Sequence, residues 1–270
     1  MRKTTVTRGL LERKLLELGL GTGDWVMVHI SLSSMGYVEP AEGGTGADTV
    51  VDALLETVGE TGLLMMPTFT HRRFPFHPLR ARSASGAITE ALRLRPGSFR
   101  SRHPTHAICA MGREAERVVR GHERTTAFGA DSPLGRLALR GGAILLLGVG
   151  HNANSAVHVA EELFPVPYEE EVDAPVEDDR GTVRLVRVSR APGHSAGFVK
   201  LEPLLRKEAL IRDATIGTAR AQLMKGPDLV RVVHAQLKKN PGYFLCDDPA
   251  CRSCAQARKM IRDSSARGEH

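Results

Sequence analysis

Aromatic residues make up only 4% of this 270-residue chain, with one Trp and three Tyr. A surface that stacks single-stranded nucleic acid needs aromatic faces, so their scarcity counts against that function. Long apolar runs are also lacking. Nothing approaches the roughly 20 residues that a membrane helix requires, and no membrane partner is expected. The start, Met1-Arg2-Lys3-Thr4-Thr5, leads into a charged amphipathic pattern with no apolar signal region. Four Cys are too few for a secreted disulfide scaffold and fit a reducing compartment. The expectation is a cytoplasmic protein.

Charge is plentiful but unevenly placed. The chain has 37 Lys+Arg and 31 Asp+Glu, a net +6, against 41% hydrophobic residues, which is a globular balance. From Arg72 to Arg102 there are eight Arg and a single carboxylate, Glu90. From Glu161 to Asp179 there are nine carboxylates and no Lys or Arg. Without that stretch 22 acids face 37 bases, a surplus of +15. Such a map fits a solvated acidic loop, or a bipolar site with Arg for phosphates and carboxylates for a cation.

Apolar positions Leu10, Leu11, Leu15, Leu16 and Leu18 predict a helix over 7–20, closed by Gly19 and Gly21. Residues 25–30 read as a buried strand that runs into a polar turn, 31–36. A helix over 47–58 and a strand over 63–66 follow, the grammar of a parallel α/β sheet. The Arg- and Pro-rich 70–83 reads as a loop, 87–94 as a helix, 106–111 as a strand and 113–121 as a charged helix. Residues 143–147 form the plainest strand, followed by a helix over 155–163, the acidic loop and a strand over 182–189. The last 70 residues read as mostly helical.

Open α/β sheets bind ligands at the C-terminal ends of their strands. That directs attention to 29–36, 67–71 and 148–158, all of which carry His, Ser or Thr. His29 ends the first strand, and His158 sits on the helix after the plainest one. Glu161 and Glu162 follow His158 by three and four residues, so either can share its helix face. A carboxylate beside His fixes one tautomer and makes a better proton acceptor. An idle surface pair is the bland alternative.

Other chemistry is poorly signalled. No Gly-x-Ser-x-Gly elbow, Walker loop or Gly-x-Gly-x-x-Gly is present, and Cys109 lies inside an apolar run. Gly43-Gly44-Thr45-Gly46 precedes a helix, where backbone amides can meet a phosphate or carbonyl. Cys246, Cys251 and Cys254 have the spacing C-x4-C-x2-C. A structural zinc site usually wants a fourth ligand, which Asp247, Asp248 or a distant His would have to supply. Three free thiols, and no metal, is the reading adopted from sequence.

Several blocks occur in one order. They are Val28 to Val38, Gly43-Gly44, Val50 to Leu54, Gly62 to Thr70, Pro96-Gly97, Arg100 to His106, Ser132 to Leu137, Gly142 to Gly148, and Ser155 to Glu161. A weaker block, His194 to Phe198, follows. Together they resemble the aminoglycoside 3-N-acetyltransferase family over about residues 25–162. The ordered set is far more specific than any single block. The resemblance implies a three-layer α/β/α sandwich with a mostly parallel central sheet. It implies one such domain over 1–270, with a less regular helical part from about 200. It implies acetyl transfer from acetyl-CoA to an amine of an aminoglycoside, conferring resistance, by a monomer or homodimer that requires no metal.

For that reaction His158 is the expected general base, Glu161 orients it, and His29 is the rival base or an oxyanion donor. Ser31, Ser33, Ser34, Thr68, Thr70, Arg100, Arg102, His103 and Ser132 are the expected coenzyme A contacts. Glu162, Glu169, Glu170 and Glu171 are the expected contacts of the cationic acceptor. Two alternatives stand beside this reading: a coenzyme A-dependent acetyltransferase acting on a different amine, and a basic module that binds nucleic acid or zinc. The acidic stretch and the few aromatics count against the nucleic-acid module.

Overall fold

The computed structural model describes residues 5–70, 74–164, 166–190 and 194–267. The strands are β1 (Thr5–Val6), β2 (Trp25–Ile30), β3 (Tyr37–Val38), β4 (Leu63–Pro67), β5 (Phe99–Arg100), β6 (Ile108–Gly112), β7 (Ala143–Leu147), β8 (Glu170–Glu177), β9 (Val183–Arg190), β10 (Arg212–Ile216) and β11 (Ala219–Lys225). The helices are α1 (Arg8–Leu18), α2 (Gly46–Val58), α3 (Ala87–Leu94), α4 (Ala115–Val119), α5 (Pro133–Leu139), α6 (Ala156–Leu163), α7 (Leu201–Lys207), α8 (Gly226–Leu237) and α9 (Arg252–Arg267).

Seven strands form one sheet in the order β10-β11-β7-β2-β4-β6-β5. Its centre, β7-β2-β4, is parallel, and the flanking pairs are antiparallel. By these pairings β10, β7, β2, β4 and β5 run one way and β11 and β6 the other. The central strands read as unbroken apolar runs because both faces are covered. Val26, Val28, Leu64, Met66, Leu145 and Leu147 pack on one face, with residues of α1, α2 and α3. Met27, Leu63, Met65, Ile144 and Leu146 pack on the other, with residues of α4 to α9. Two helical layers thus enclose the sheet, and each fully buried Leu or Val contributes about 1.5–3 kcal/mol.

One expectation is corrected. The acidic stretch is not a loop: β8 pairs antiparallel with β9 in a separate two-stranded sheet. The region after 200 holds helices α7, α8 and α9 and, in addition, β10 and β11, a hairpin that extends the main sheet through the β11–β7 pairing. Among the described residues no helix is long and apolar enough to cross a membrane.

The end of β7 packs on the turn after β2. Gly148 has φ +71°, and a Cβ there would meet the Cβ of Ser34 at 2.7 Å. Only glycine tolerates both conditions, so the two strand ends close on each other.

Candidate active site

A cleft of about 340 Å³ opens at the C-terminal ends of β2 and β4. His29 and Ile30 from β2, Pro67 from β4 and residues 152–155 ahead of α6 line it, as the strand-end rule directs. His158 on α6 lines it too. Asn154 starts that helix, its side-chain oxygen accepting from the Ala156 amide at 3.1 Å.

His158 is held on several sides. Its ring stacks on Phe128 at 5.1 Å between centroids and meets the edge of Phe198 at 4.8 Å. Its Nδ1 lies 2.6 Å from Oε2 of Glu161, which is buried. The other oxygen of Glu161 lies 3.0 Å from the hydroxyl of Tyr168, which is wholly buried and also lies 3.0 Å from the Pro241 carbonyl. An ionised carboxylate accepts only, so it assigns the proton to Nδ1 and leaves the Nε2 lone pair for the cleft. The spacing of His158 and Glu161 announced this pair. Nothing in the sequence announced Tyr168 or the two rings.

His29 is 4% exposed, with an Nε2 that is buried without a partner. Burial pushes its pKa down to about 4, so near neutrality it is uncharged. Burial does the same to His151 and His103, both to about 4. Near Glu161 stand further carboxylates. Glu169 is exposed at the surface, and partial burial, then the charges of Glu162 and Glu161, raise it to about 6. Glu171 is exposed on β8. Glu170 lies on the same strand, but its side chain is outside the described part. Glu162 has both oxygens 3.0 Å from the Phe128 amide, so it holds the ring that stacks on His158. Burial raises its pKa.

Of the expected coenzyme A contacts, five make hydrogen bonds within the protein's own framework. Arg100 donates to the carbonyls of Thr68, Pro78 and Ala81 and to the Thr68 hydroxyl. Thr68 in turn donates to the Ala107 carbonyl, and Thr70 to the Pro104 carbonyl. His103 is buried and accepts at Nδ1 from the His106 amide. Ser132 caps α5 by accepting from the Gly135 amide. These polar residues cluster in the sequence because they pin irregular loops from inside. Ser34 is also committed, donating to the Gly148 carbonyl at 2.8 Å. Ser31 and Ser33 lie 3.2 Å apart at the lip of the turn. Arg102 lines a second cleft with Arg120 and Glu116 that shares no lining residue with the first.

The two charged stretches partly meet each other. Arg72 and Arg73 lie outside the described residues. Residues 76–80 dock on the acidic hairpin: Arg80 pairs with Glu177 at 2.8 Å, and Phe76 bridges to Val176. Asp173 is met by Arg187 of β9 at 3.1 Å. Arg93 pairs with Glu90, and Arg95 with Asp52. In the glycine stretch before α2, Asp48 accepts from the Thr45 amide in a capping box.

A sequence model of the aminoglycoside 3-N-acetyltransferase family matches residues 27–238. Aminoglycoside N(3)-acetyltransferase VII of Streptomyces paromomycinus is 38% identical over 190 residues, 62% of this chain and 64% of the relative. The match to that protein thus spans a little under two thirds of its length. Aminoglycoside N(3)-acetyltransferase IV of Salmonella is 30% identical over 237 residues, 86% of this chain and 87% of that one. Among solved structures, a histidine-to-alanine mutant of aminoglycoside acetyltransferase AAC(3)-IVa in complex with a gentamicin has a TM-score of 0.86 and 29% identity, covering 97% of this chain and 100% of that one. AAC-IIIb in a binary complex with CoASH has a TM-score of 0.78 and 26% identity, covering 87% and 97%.

Proposed function

The chain belongs to the aminoglycoside 3-N-acetyltransferase family, and we propose that it moves the acetyl group of acetyl-CoA to the 3-N amine of an aminoglycoside with His158 as general base. The observation that carries the mechanism is the pairing of His158 with Glu161, which leaves one basic nitrogen to the cleft. Relatives solved with a gentamicin and with CoASH support the two substrate classes.

The neutral amine attacks the thioester carbonyl carbon. A carbon–nitrogen bond forms, and His158 Nε2 takes the proton that the nitrogen must lose. The imidazolium is stabilised by Glu161, whose other oxygen is held by Tyr168. The tetrahedral oxyanion then collapses, the carbon–sulfur bond breaks, and the proton passes to the departing sulfur. A thioester is electrophilic already, so no covalent enzyme intermediate is required. His29, neutral and with a partnerless Nε2, fits an oxyanion donor better than a base. Ser31 and Ser33 remain the contacts nearest the strand end for the second substrate. The neutral imidazoles add no positive charge, and Glu161, Glu162 and Glu169, close enough to act on one another, with Glu171 exposed on β8, give the region the sign a polycation needs.

The decisive experiment measures free thiol release with acetyl-CoA and a panel of aminoglycosides, with product mass as a second readout. Acceptor-dependent thiol release with gain of one acetyl group is expected. Release no faster than without acceptor, for every member of the panel, overturns the proposal.

A further inference from the structure

Four metal-ligating side chains from distant stretches meet beside the cleft. His194 Nδ1 and the thiols of Cys246, Cys251 and Cys254 all lie within 4.8 Å of one another. Cys251 Sγ is 3.3 Å from His194 Nδ1, and Cys254 Sγ is 3.9 Å from it. We propose that these residues form a structural zinc site that clamps the C-terminal helix to the wall of the cleft.

Donor chemistry and geometry agree on this. Three cysteines and a histidine make one of the closed tetrahedral sets that structural zinc takes. With bonds of about 2.3 Å to sulfur and 2.0–2.1 Å to nitrogen, a tetrahedron places its ligand atoms about 3.5–3.8 Å apart. The two sulfur–nitrogen distances bracket that spacing, so a small contraction completes the site. Soft thiolates favour zinc over magnesium or calcium. The surroundings suit thiolates: the Cys246 amide donates to Cys254 Sγ at 3.3 Å, and Arg258 donates to the Cys246 carbonyl. A zinc ion with three thiolates and a neutral imidazole carries one net negative charge, which that guanidinium offsets. Binding releases the thiol protons to solvent. The remaining cysteine, Cys109, is buried in β6 and takes no part.

The site also answers a packing question. Helix α9 has 16 residues, of which only Cys254, Ala257 and Ser264 are buried. So little buried surface anchors a helix weakly, and a metal bond to Cys251 and Cys254 supplies what the apolar face lacks. The other side of the clamp is functional. His194 immediately precedes the turn Ser195–Lys200, which carries Ser195 and Phe198 to the cleft. Phe198 is the ring whose neighbour is His158. The turn fits tightly, since a Cβ on Gly197 would meet the Phe244 carbonyl oxygen at 2.1 Å. The clamp therefore sets the wall against which the imidazole rests, whatever reaction that imidazole serves.

The test uses the full chain purified with reductant, exposed to zinc chloride and passed over a chelating resin. Atomic emission should find about one zinc per chain. Replacing zinc by cobalt chloride should give the intense visible bands and sulfur-to-metal charge transfer of a tetrahedral thiolate site. Cys251→Ser and His194→Ala should weaken zinc at least about tenfold in competition with a chromogenic chelator, and Cys109→Ser should not. A zinc-free wild-type chain, an octahedral cobalt spectrum, or a reducible disulfide between two of the three thiols in intact mass overturns the site. Because the cobalt spectrum reads the unaltered chain, a variant that fails to fold does not shield the proposal. None of these readouts depends on acetyl transfer.

Discussion

Glu161 touches His158 with one carboxylate oxygen, at 2.6 Å, and Tyr168 with the other, at 3.0 Å. Both histidine and carboxylate lie on one face of a single helix, α6, so the pair is fixed by backbone geometry rather than by a mobile loop. His158→Ala should lower kcat at least about a hundredfold while both substrates still bind, the loss expected of a proton acceptor. Glu161→Gln should cost less, because the ring keeps a partner but loses the charge that stabilises the imidazolium. His29→Ala should also be severe, yet the acid limb of its pH–rate profile should stay in place. A His158→Ala enzyme of near-normal kcat would make His29 or a carboxylate the base.

Tyr168 acts through Glu161 and is a positioning residue. Tyr168→Phe removes the hydroxyl, whose one proton lies within 3.0 Å reach of both the buried Glu161 oxygen and the Pro241 carbonyl, at a cost of about 1–3 kcal/mol in stability. A purely structural tyrosine would change the melting temperature alone. The positioning role predicts in addition a shifted acid limb of kcat, with KM for both substrates little changed.

Glu169 stands at about 6 because it is partly buried and then because Glu162 and Glu161 are carboxylates. A bound polycation relieves that repulsion and favours the ionised form. Aminoglycoside binding should therefore weaken as pH falls through about 6, and calorimetry there should detect proton release on binding. Glu169→Gln, alone or with Glu170→Gln and Glu171→Gln, should raise the aminoglycoside KM and leave that for acetyl-CoA nearly unchanged. Added salt should weaken what remains, since exposed charges are screened over about 8–10 Å. If the triple variant alters stability and not KM, the carboxylates are a solvated edge.

The sequence context of Arg100 points to a coenzyme phosphate, and in the structure its guanidinium donates to internal carbonyls. Arg100→Ala should thus destabilise the fold by about 1–3 kcal/mol through the lost bonds to the Thr68, Pro78 and Ala81 carbonyls, with coenzyme A affinity nearly unchanged in the folded fraction. Calorimetric loss of coenzyme A binding without a change in denaturation midpoint would restore the first assignment. Arg102 is exposed and open to an anion.

The contrast between Arg100 and Glu161 shows what was legible. Strands β2, β4 and β7 and helices α2, α3 and α6 could be read within a residue or so, because two-faced burial makes strands continuously apolar and helices periodic. The His158–Glu161 pair was legible because three residues on a helix is a spatial statement. Arg100, Thr68 and Ser132 were not, because a polar side chain near a site looks the same whether it meets a ligand or a carbonyl of its own chain. The β8–β9 hairpin was half legible: alternation marked β9, while the charge run concealed β8 opposite it. His194 reaches the cysteines across more than fifty residues, and no local pattern encodes that distance.

The buried imidazoles set how the protein responds to acid. His29, His103 and His151 are pushed from the ordinary 6.5 to about 4, and His122 well below 6.5, in each case chiefly by burial. Between about 4 and 6.5 the unfolded chain binds protons that the folded chain refuses. Folding stability therefore stands in full above about 6.5 and is lost as pH falls toward 4, on the order of 1.4 kcal/mol per pH unit for each imidazole. Glu169, raised to about 6, works in the opposite sense, but it is exposed and weakly coupled to the fold. Urea denaturation at a series of pH values should show the midpoint falling from pH 6.5 to 5, above the range where ordinary carboxylates titrate. His103 is the position to vary, since it is buried, lines no part of the cleft and lies 4.7 Å from the ring of His122. His103→Gln should flatten the slope in that window even if it lowers stability at pH 8. A slope unchanged by the substitution, or a midpoint that stays level until pH 4.5, would place the acid sensitivity in the carboxylates instead.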